Sequence, residues 1–272
     1  MITTILFDLD DTLLDFTKAE AIALRRALEE AGLPAGKDVL DRYHVINRRQ
    51  WELLEEGQGG DRLWPPVYGY ILRNGLYGVD ADLKHLDDDD LRCASLSMVK
   101  AKRIPHIRGC EEEAVRLAER WGADPHLARR AGILHDCTKY LELDEQLALC
   151  EQYHIQLDEL ERVAVKLLHS KTGAAIARHV FGEPEEVCNA IYWHTTGKAD
   201  MDLLSKVLYL ADYIEPSRAD FEGLEELRRL AYTDMDKALL LGCELTIQDM
   251  EERGVPVHTN TLQARDFLKG RT

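Results

Sequence analysis

From about residue 95 onward the sequence is a succession of apolar stripes at helical spacing, and no further strand pattern of any strength follows residue 10. This constrains the fold more than any other feature, because amphipathic helices with no sheet to cover must bury their stripes against one another. The punctuation agrees. "PHIRGCEEEAVRLAERWG" has Pro105 at its start and Gly122 at its stop. "DPHLARRAGILHDCTKYL" follows, with Asp124 placed as an N-cap and Pro125 in the first turn. "LDELERVAVKLLHSKTGAAIARHVFG", "EPEEVCNAIYWHTTG" and "DMDLLSKVLYLADYIEP" repeat this grammar, and "LEELRRLAYTDMDKALLLGCELTIQDMEERG" adds two more helices. The region reads as an all-α domain.

The first hundred residues read differently. "TTILFD", residues 3–8, has the pattern of a short buried strand, and "FTKAEAIALRRALEEAGLP" that of a helix ending at Gly32 and Pro34. A second helix, "KDVLDRYHVINRRQWELLEEG", runs to about Gly57. The next segment, "GQGGDRLWPP", holds three glycines and two prolines in ten residues and is expected to be a linker. A short apolar helix, "VYGYILRNGLYG", and an acidic run, Asp87 to Asp90, complete it. The expected organisation is a strand–helix–helix extension over 1–58, a linker with a short helix over 59–94 and a helical domain over 95–272, a mainly α fold.

Composition removes several classes of function. The 272 residues are 45% hydrophobic and 31% charged, with no apolar run long enough for a membrane span. The opening lacks the pattern of a secretory signal, and six scattered cysteines form no CxxC pair, so a reducing cytoplasm is expected and a zinc knuckle is not. A net charge of -16 disfavours nucleic acid as a partner. An anionic small substrate would need a local positive centre, such as a metal, to overcome that field.

The histidines carry the chemical signal. His106, His135, His169 and His194 sit in or at the ends of the helical segments, His135 is followed directly by Asp136, and Asp212 lies within the apolar "VLYLADYI". An ionised carboxylate among apolar residues is costly unless something neutralises it, and a divalent metal would. Imidazole and carboxylate together suit iron, manganese or zinc. Each residue alone has a plainer reading, as a hydrogen-bonded core histidine or, for Asp212, as a partner of Arg218.

The order His106, His135-Asp136, Asp212 resembles the signature of the HD superfamily of metal-dependent phosphohydrolases. "AKRIPHIRGCEEEAVRLAERWG", "AGILHDCTK", "LLHSKTGA", "IYWHTTG", "LYLADYIEPSR" and "VPVHTNTLQARDF" resemble, in order, the YqeK family of symmetrical diadenosine tetraphosphate hydrolases. The resemblance implies an HD-domain bundle of about eight helices with a central metal bound by His106, His135, Asp136 and Asp212. That metal would be iron first, with manganese or another divalent ion as alternatives. It further implies that Lys139, His169, His194, Thr195 and Arg218 meet the substrate phosphates, and that Val257, His258, Thr259 and Asn260 line the nucleotide end of the pocket. Asp136, Lys139, His169 and His194 would act in catalysis, on a dinucleoside polyphosphate that yields ADP, in a homodimer. Whether His169 and His194 hold a second metal instead stays open, as does a non-catalytic nucleotide- or metal-binding module.

The opening "FDLDDTLLD" resembles the first motif of haloacid-dehalogenase-type (HAD) phosphatases, with Asp8 in the place of the nucleophile and Asp10 in that of the acid/base. The later strands and acidic pair of that family do not follow, and "RLWPPVYGYILRNGLYG" resembles instead the tail of nicotinate-nucleotide adenylyltransferases. Phosphomonoester hydrolysis through Asp8 and Asp10 is the alternative enzyme reading. If that alternative is wrong, Asp8→Asn will leave magnesium-dependent hydrolysis of a generic phosphomonoester at the level of the unmodified protein.

Overall fold

The computed structural model describes residues 16–56 and 58–271 and divides the chain into two compact units. Residues 1–60 with 77–79 form one, and 61–76 with 80–272 form the other. The expected strand at 3–8, with Asp8 and Asp10, lies outside the described residues. Among the described residues every regular element is helical.

In the first unit α1 (Phe16–Glu30) and α2 (Lys37–Glu55) are joined by a tight turn through Gly32. The Gln50 side chain of α2 holds the following segment by donating to the Gly59 carbonyl.

The second unit begins with α3 (Pro65–Asn74) and α4 (Asp88–Leu96). The segment expected as a linker therefore contributes a packed helix: Ile71 and Leu72 of α3 are buried, and Arg73 donates to Ser97 at the end of α4. Asp87, within the acidic run, is the N-cap of α4 and accepts from the backbone N–H groups of Asp89 and Asp90. The bundle continues through α5 (Ile104–Trp121), α6 (Pro125–Leu134), α7 (Leu143–Gln152), α8 (Val165–His179), α9 (Glu185–Trp193) and α10 (Leu203–Ile214). It closes with α11 (Leu224–Thr233), α12 (Met235–Glu252) and α13 (Thr259–Lys269). Two of the expected helical segments are shorter than their apolar patterns. The chain turns at His135 rather than continuing α6 through "HDCTKYL", and α8 starts only at Val165. In the latter case Asp158 and Glu161 each accept from the other's backbone N–H, which fixes a loop where the pattern suggests a helix.

The core lies where α5, α6, α9 and α10 meet. Leu117, Ile133 and Leu134, Ile191, and Leu208 and Leu210 are fully buried there. Each such side chain contributes roughly 1.5–3 kcal/mol relative to exposure. At the far end, Trp121 donates its indole N–H to the Ala231 carbonyl and ties α5 to α11. A close crossing of this core is that of α5 and α6. A Cβ on Gly132 would lie 2.7 Å from the Glu111 Cα, so only glycine lets the two backbones approach this far. That approach brings the start of α5 and the end of α6 together, and both carry candidate ligands. Gly132→Ala gains about 1 kcal/mol in helix propensity but forces two packed backbones apart, at a cost of about 1–3 kcal/mol. The expected outcome is a net loss, read as a lower urea midpoint with an unchanged m-value.

Candidate metal centre

Six candidate residues converge from five helices and one turn. His106 stands in the first turn of α5, just after Pro105, and His169 in the second turn of α8. His135 and His194 are the C-caps of α6 and α9, Asp212 is in the last turn of α10, and Asp136 begins the turn after α6. Helix C-termini carry partial negative charge, so three of these positions already favour a cation.

Two groups result, and the Asp136 carboxylate belongs to both. On one side the Nε2 atoms of His106 and His135 are 3.1 Å apart, and Asp212 Oδ1 lies 3.1 Å from the first and 3.8 Å from the second. Asp136 Oδ2 is 3.7 Å from His106 Nε2 and 3.6 Å from His135 Nε2. On the other side the Nε2 atoms of His169 and His194 are 3.1 Å apart, at 3.2 and 3.7 Å from Asp136 Oδ1. Nitrogen and oxygen ligands about 2.0–2.2 Å from one ion stand roughly 3–4 Å from each other, which is the spacing found in both groups.

Hydrogen bonding decides which ring nitrogens face inward as lone pairs. His135 Nδ1 donates to the Gly132 carbonyl, His169 Nδ1 to that of Lys166 and His194 Nδ1 to that of Ile191, each at 2.7 Å. His106 Nδ1 donates to Glu215 Oε1 at 3.0 Å. With the proton on Nδ1, the neutral rings present unprotonated Nε2 atoms to one another, an arrangement that an interposed cation stabilises. Asp136 Oδ1 is buried without a hydrogen-bond partner. A buried carboxylate oxygen is rarely left so, and the donor set around it fits a divalent metal.

Charge and burial point the same way. Burial pushes His135 down to about 3 and His169 down to about 4, the latter aided by Lys139. Burial disfavours the Asp136 carboxylate, yet its imidazole and ammonium neighbours hold its carboxyl well below the usual range. The same opposition holds at Asp212, where Arg218 and His106 outweigh burial. Burial first, then the Asp136 charge, pushes the Cys137 thiol up to about 12, so this neighbour is no thiolate ligand.

Beside the cage lies a cleft of about 450 Å³ lined by Lys139, His194, Thr195, Asp212 and Arg218, with Tyr209, Tyr213, Phe221 and Thr246 on its other walls. Lys139 Nζ is 3.0 Å from His169 Nε2, and Arg218 donates to both the carbonyl and the carboxylate of Asp212. None of the expected nucleotide-end residues is among those lining this cleft. Val257 precedes α13, Thr259 and Asn260 begin it, and His258 is its N-cap, accepting from the Asn260 N–H on Nδ1 and donating from Nε2 to Asp158. Asp158, Glu161 and His258 form a third cluster of metal-ligand type. There Lys171 already pairs with Glu161 at 2.6 Å and the His258 Nε2–H faces Asp158, so the cluster is an ion-paired latch between α13 and the loop before α8.

Two residues escaped sequence reasoning. Arg103 Nε donates to Asp136 Oδ2 at 2.6 Å, and its only sequence signal is its position three residues before His106. Glu215, 1% exposed, orients the His106 ring and also accepts from the N–H and hydroxyl of Ser217. A Cβ on Gly109 would collide with the Glu215 carboxylate, so that glycine keeps open the path from Glu215 to His106.

A helical bundle with a His, His-Asp, Asp cage at its centre defines the HD class, and the HD domain family matches residues 103–217. The chain is 34% identical to the symmetrical bis(5'-nucleosyl)-tetraphosphatase of Bacillus subtilis (strain 168), over 66% of this chain and 96% of that protein. It therefore belongs to the YqeK-type HD family of symmetrical bis(5'-nucleosyl)-tetraphosphatases. A crystal structure of an HD superfamily hydrolase from Clostridium acetobutylicum, 38% identical, superposes with a TM-score of 0.66 and covers 69% of this chain and 99% of that one. A putative HAD-hydrolase, YfnB of Bacillus subtilis (strain 168), is 40% identical over 80 residues, 29% of this chain and 33% of its own length. Among the described residues no helix is long and apolar enough to cross a membrane.

Both buried imidazoles titrate near 6.5 in an unfolded chain, whereas the fold holds His135 at about 3 and His169 at about 4. Between those values and 6.5 the unfolded chain binds more protons than the folded one, so stability rises with pH across that window. Metal-free protein should accordingly lose stability as pH falls below about 6.5. Urea midpoints measured in chelator at pH 7 and pH 5 should show the drop, and equal midpoints would contradict the neutral-imidazole assignment.

Proposed function

We propose that the chain hydrolyses dinucleoside tetraphosphates symmetrically, splitting diadenosine tetraphosphate into two ADP. The observation that carries this reading is the single buried Asp136 carboxylate set between two imidazole pairs, next to a cleft furnished with Lys139, Thr195 and Arg218. His106, His135, Asp136 and Asp212 are the ligands of the first divalent cation. Iron leads, with manganese or another divalent ion as alternatives, because the donor set is nitrogen and oxygen without thiolate. When bound, such a cation supplies Lewis acidity and an activated water at neutral pH.

The protein's own groups do the rest. Lys139 offers an ammonium, Arg218 a guanidinium and Thr195 a hydroxyl to the oxygens of the phosphate chain, which holds its central phosphorus beside the cage. Cleavage between the second and third phosphates releases ADP, and Lys139 and Arg218 meet the charge that develops on its terminal oxygen. His169 keeps its proton on Nδ1, toward the Lys166 carbonyl, so its Nε2 has none to give a leaving group. With His194 and Asp136 Oδ1 it suits a second cation better than a phosphate contact, and this favours a two-ion version of the same reaction. The reading carries with it a cytoplasmic homodimer whose HD domain occupies 95–272, preceded by the 59–94 segment and the HAD-like 1–58.

Incubation with diadenosine tetraphosphate and a divalent metal should give ADP as the sole nucleotide product. AMP with ATP, or no turnover by metal-loaded protein, would overturn the assignment. Asp136→Ala should abolish both metal retention and hydrolysis, and an active, metal-loaded variant would contradict the ligand set. Glu215→Gln loosens the His106 ring and should lower metal affinity about tenfold, measured by competition with a chelator.

A further inference from the structure

The turn that carries Asp136 is anchored by side-chain hydroxyls at both of its ends. Helix α6 stops at His135, and the last carbonyls of a helix need donors from elsewhere. The Cys137 N–H, which would meet the Ile133 carbonyl had α6 run on, donates instead to that of Leu134. The Ile133 carbonyl is taken by the Ser95 hydroxyl at 2.6 Å, from a side chain with 0% exposure. Ser95 belongs to α4, which precedes the 103–217 stretch that matches the HD domain.

Helix α4 is itself firmly held. Its Leu91, Ala94 and Leu96 are fully buried, and Arg73 of α3 donates to Ser97 just past its end. The exit of the turn has the second anchor. Thr138, also fully buried, donates its hydroxyl at 2.9 Å to the His169 carbonyl of α8. His135, Asp136 and Cys137 therefore lie between a bond to α4 and a bond to the helix that carries His169.

The Asp136 carboxylate has little slack. Oδ2 faces one imidazole pair at 3.6 and 3.7 Å, and Oδ1 faces the other at 3.2 and 3.7 Å. A ligand constellation works only when held within about 0.5 Å of its geometry, and a shift of this turn lengthens one set of distances as it shortens the other. Once the Ser95 hydroxyl is gone, the Ile133 carbonyl is free to take back the Cys137 N–H, which winds α6 onward through Asp136 and turns its carboxylate.

We infer that Ser95 and Thr138 are positioning residues of the metal centre: their hydroxyls end α6 at His135 and hold the Asp136 carboxylate between the two imidazole pairs. This rests on the metal-cage reading of Asp136 and adds what fixes its geometry, through two side chains that offer the cation no ligand atom.

The test is manganese(II) affinity, measured by competition with a chelator on protein that circular dichroism shows to be folded. Ser95→Ala and Thr138→Val should each weaken binding about tenfold. Thr138→Val exchanges the hydroxyl for a methyl of similar size, and Ser95→Cys, which fills the same space with a weak donor, takes the place of Ser95→Ala should that variant not fold. Trp121→Phe removes a bond of the same kind, from a side chain to a main-chain carbonyl, at the far end of α5. It should lower the urea midpoint and leave the manganese affinity unchanged. If either folded hydroxyl variant binds manganese as tightly as the unmodified protein, or if Trp121→Phe weakens binding as much as they do, the inference is overturned and the cage stands. If the unmodified protein retains neither manganese(II) nor iron(II), the cage reading fails and this inference fails with it.

Discussion

The site is organised around one carboxylate that has been taken out of water. Asp136 is fully buried, one of its oxygens lacks any hydrogen-bond partner, and nevertheless its surroundings favour the ionised form. A lone buried carboxylate would be untenable by several kcal/mol, so the bundle supplies compensation from every side. Arg103 holds Oδ2, Lys139 stands 3.4 Å from Oδ1, and imidazoles from four helices close around both oxygens. The α5–α6 crossing at Gly132 and the helix endings at His135 and His194 can be understood as what it takes to bring those groups to one point.

Around that carboxylate the protein controls orientation through backbone carbonyls. Three imidazoles donate Nδ1–H to the carbonyl three residues earlier, His135 and His194 at helix C-termini, where the last carbonyls lack helical partners, and His169 within the second turn of α8. The fourth, His106, sits at a helix start and has no such carbonyl, so Glu215 performs the task from α10's end. These four Nδ1–H bonds thus determine which nitrogen points inward, and with it the capacity to bind a cation.

The chain's net charge of -16 is reconciled with an anionic substrate by local sorting. Positive groups gather where Lys139, Arg103 and Arg218 meet the cage, while other clusters neutralise themselves: Arg130 pairs with buried Glu183, and Lys171 with buried Glu161. Such pairs are indifferent contributors to stability, and they cancel charge away from the cleft, whose lining holds Lys139 and Arg218 beside Asp212 and Asp220. The HAD-like opening, with Asp8 and Asp10, lies outside the described residues.

By itself the sequence determined the class of the fold and the ligand candidates. Helical periodicity and Pro/Gly punctuation located α5, α6, α9 and α10, and the resemblance of the His, His-Asp, Asp order to the HD signature pointed to His106, His135, Asp136 and Asp212. Those signals are local, which is why they were legible. What only tertiary structure decided depends on residues far apart in the chain. Glu215 reaches His106 across 109 positions, and Asp136 turns one oxygen to each imidazole pair. His258, by sequence a pocket residue, is spent on capping α13 and holding Asp158. Side-chain type and spacing do not encode the direction in which a ring or carboxylate faces, because that direction is set by partners the fold brings from elsewhere.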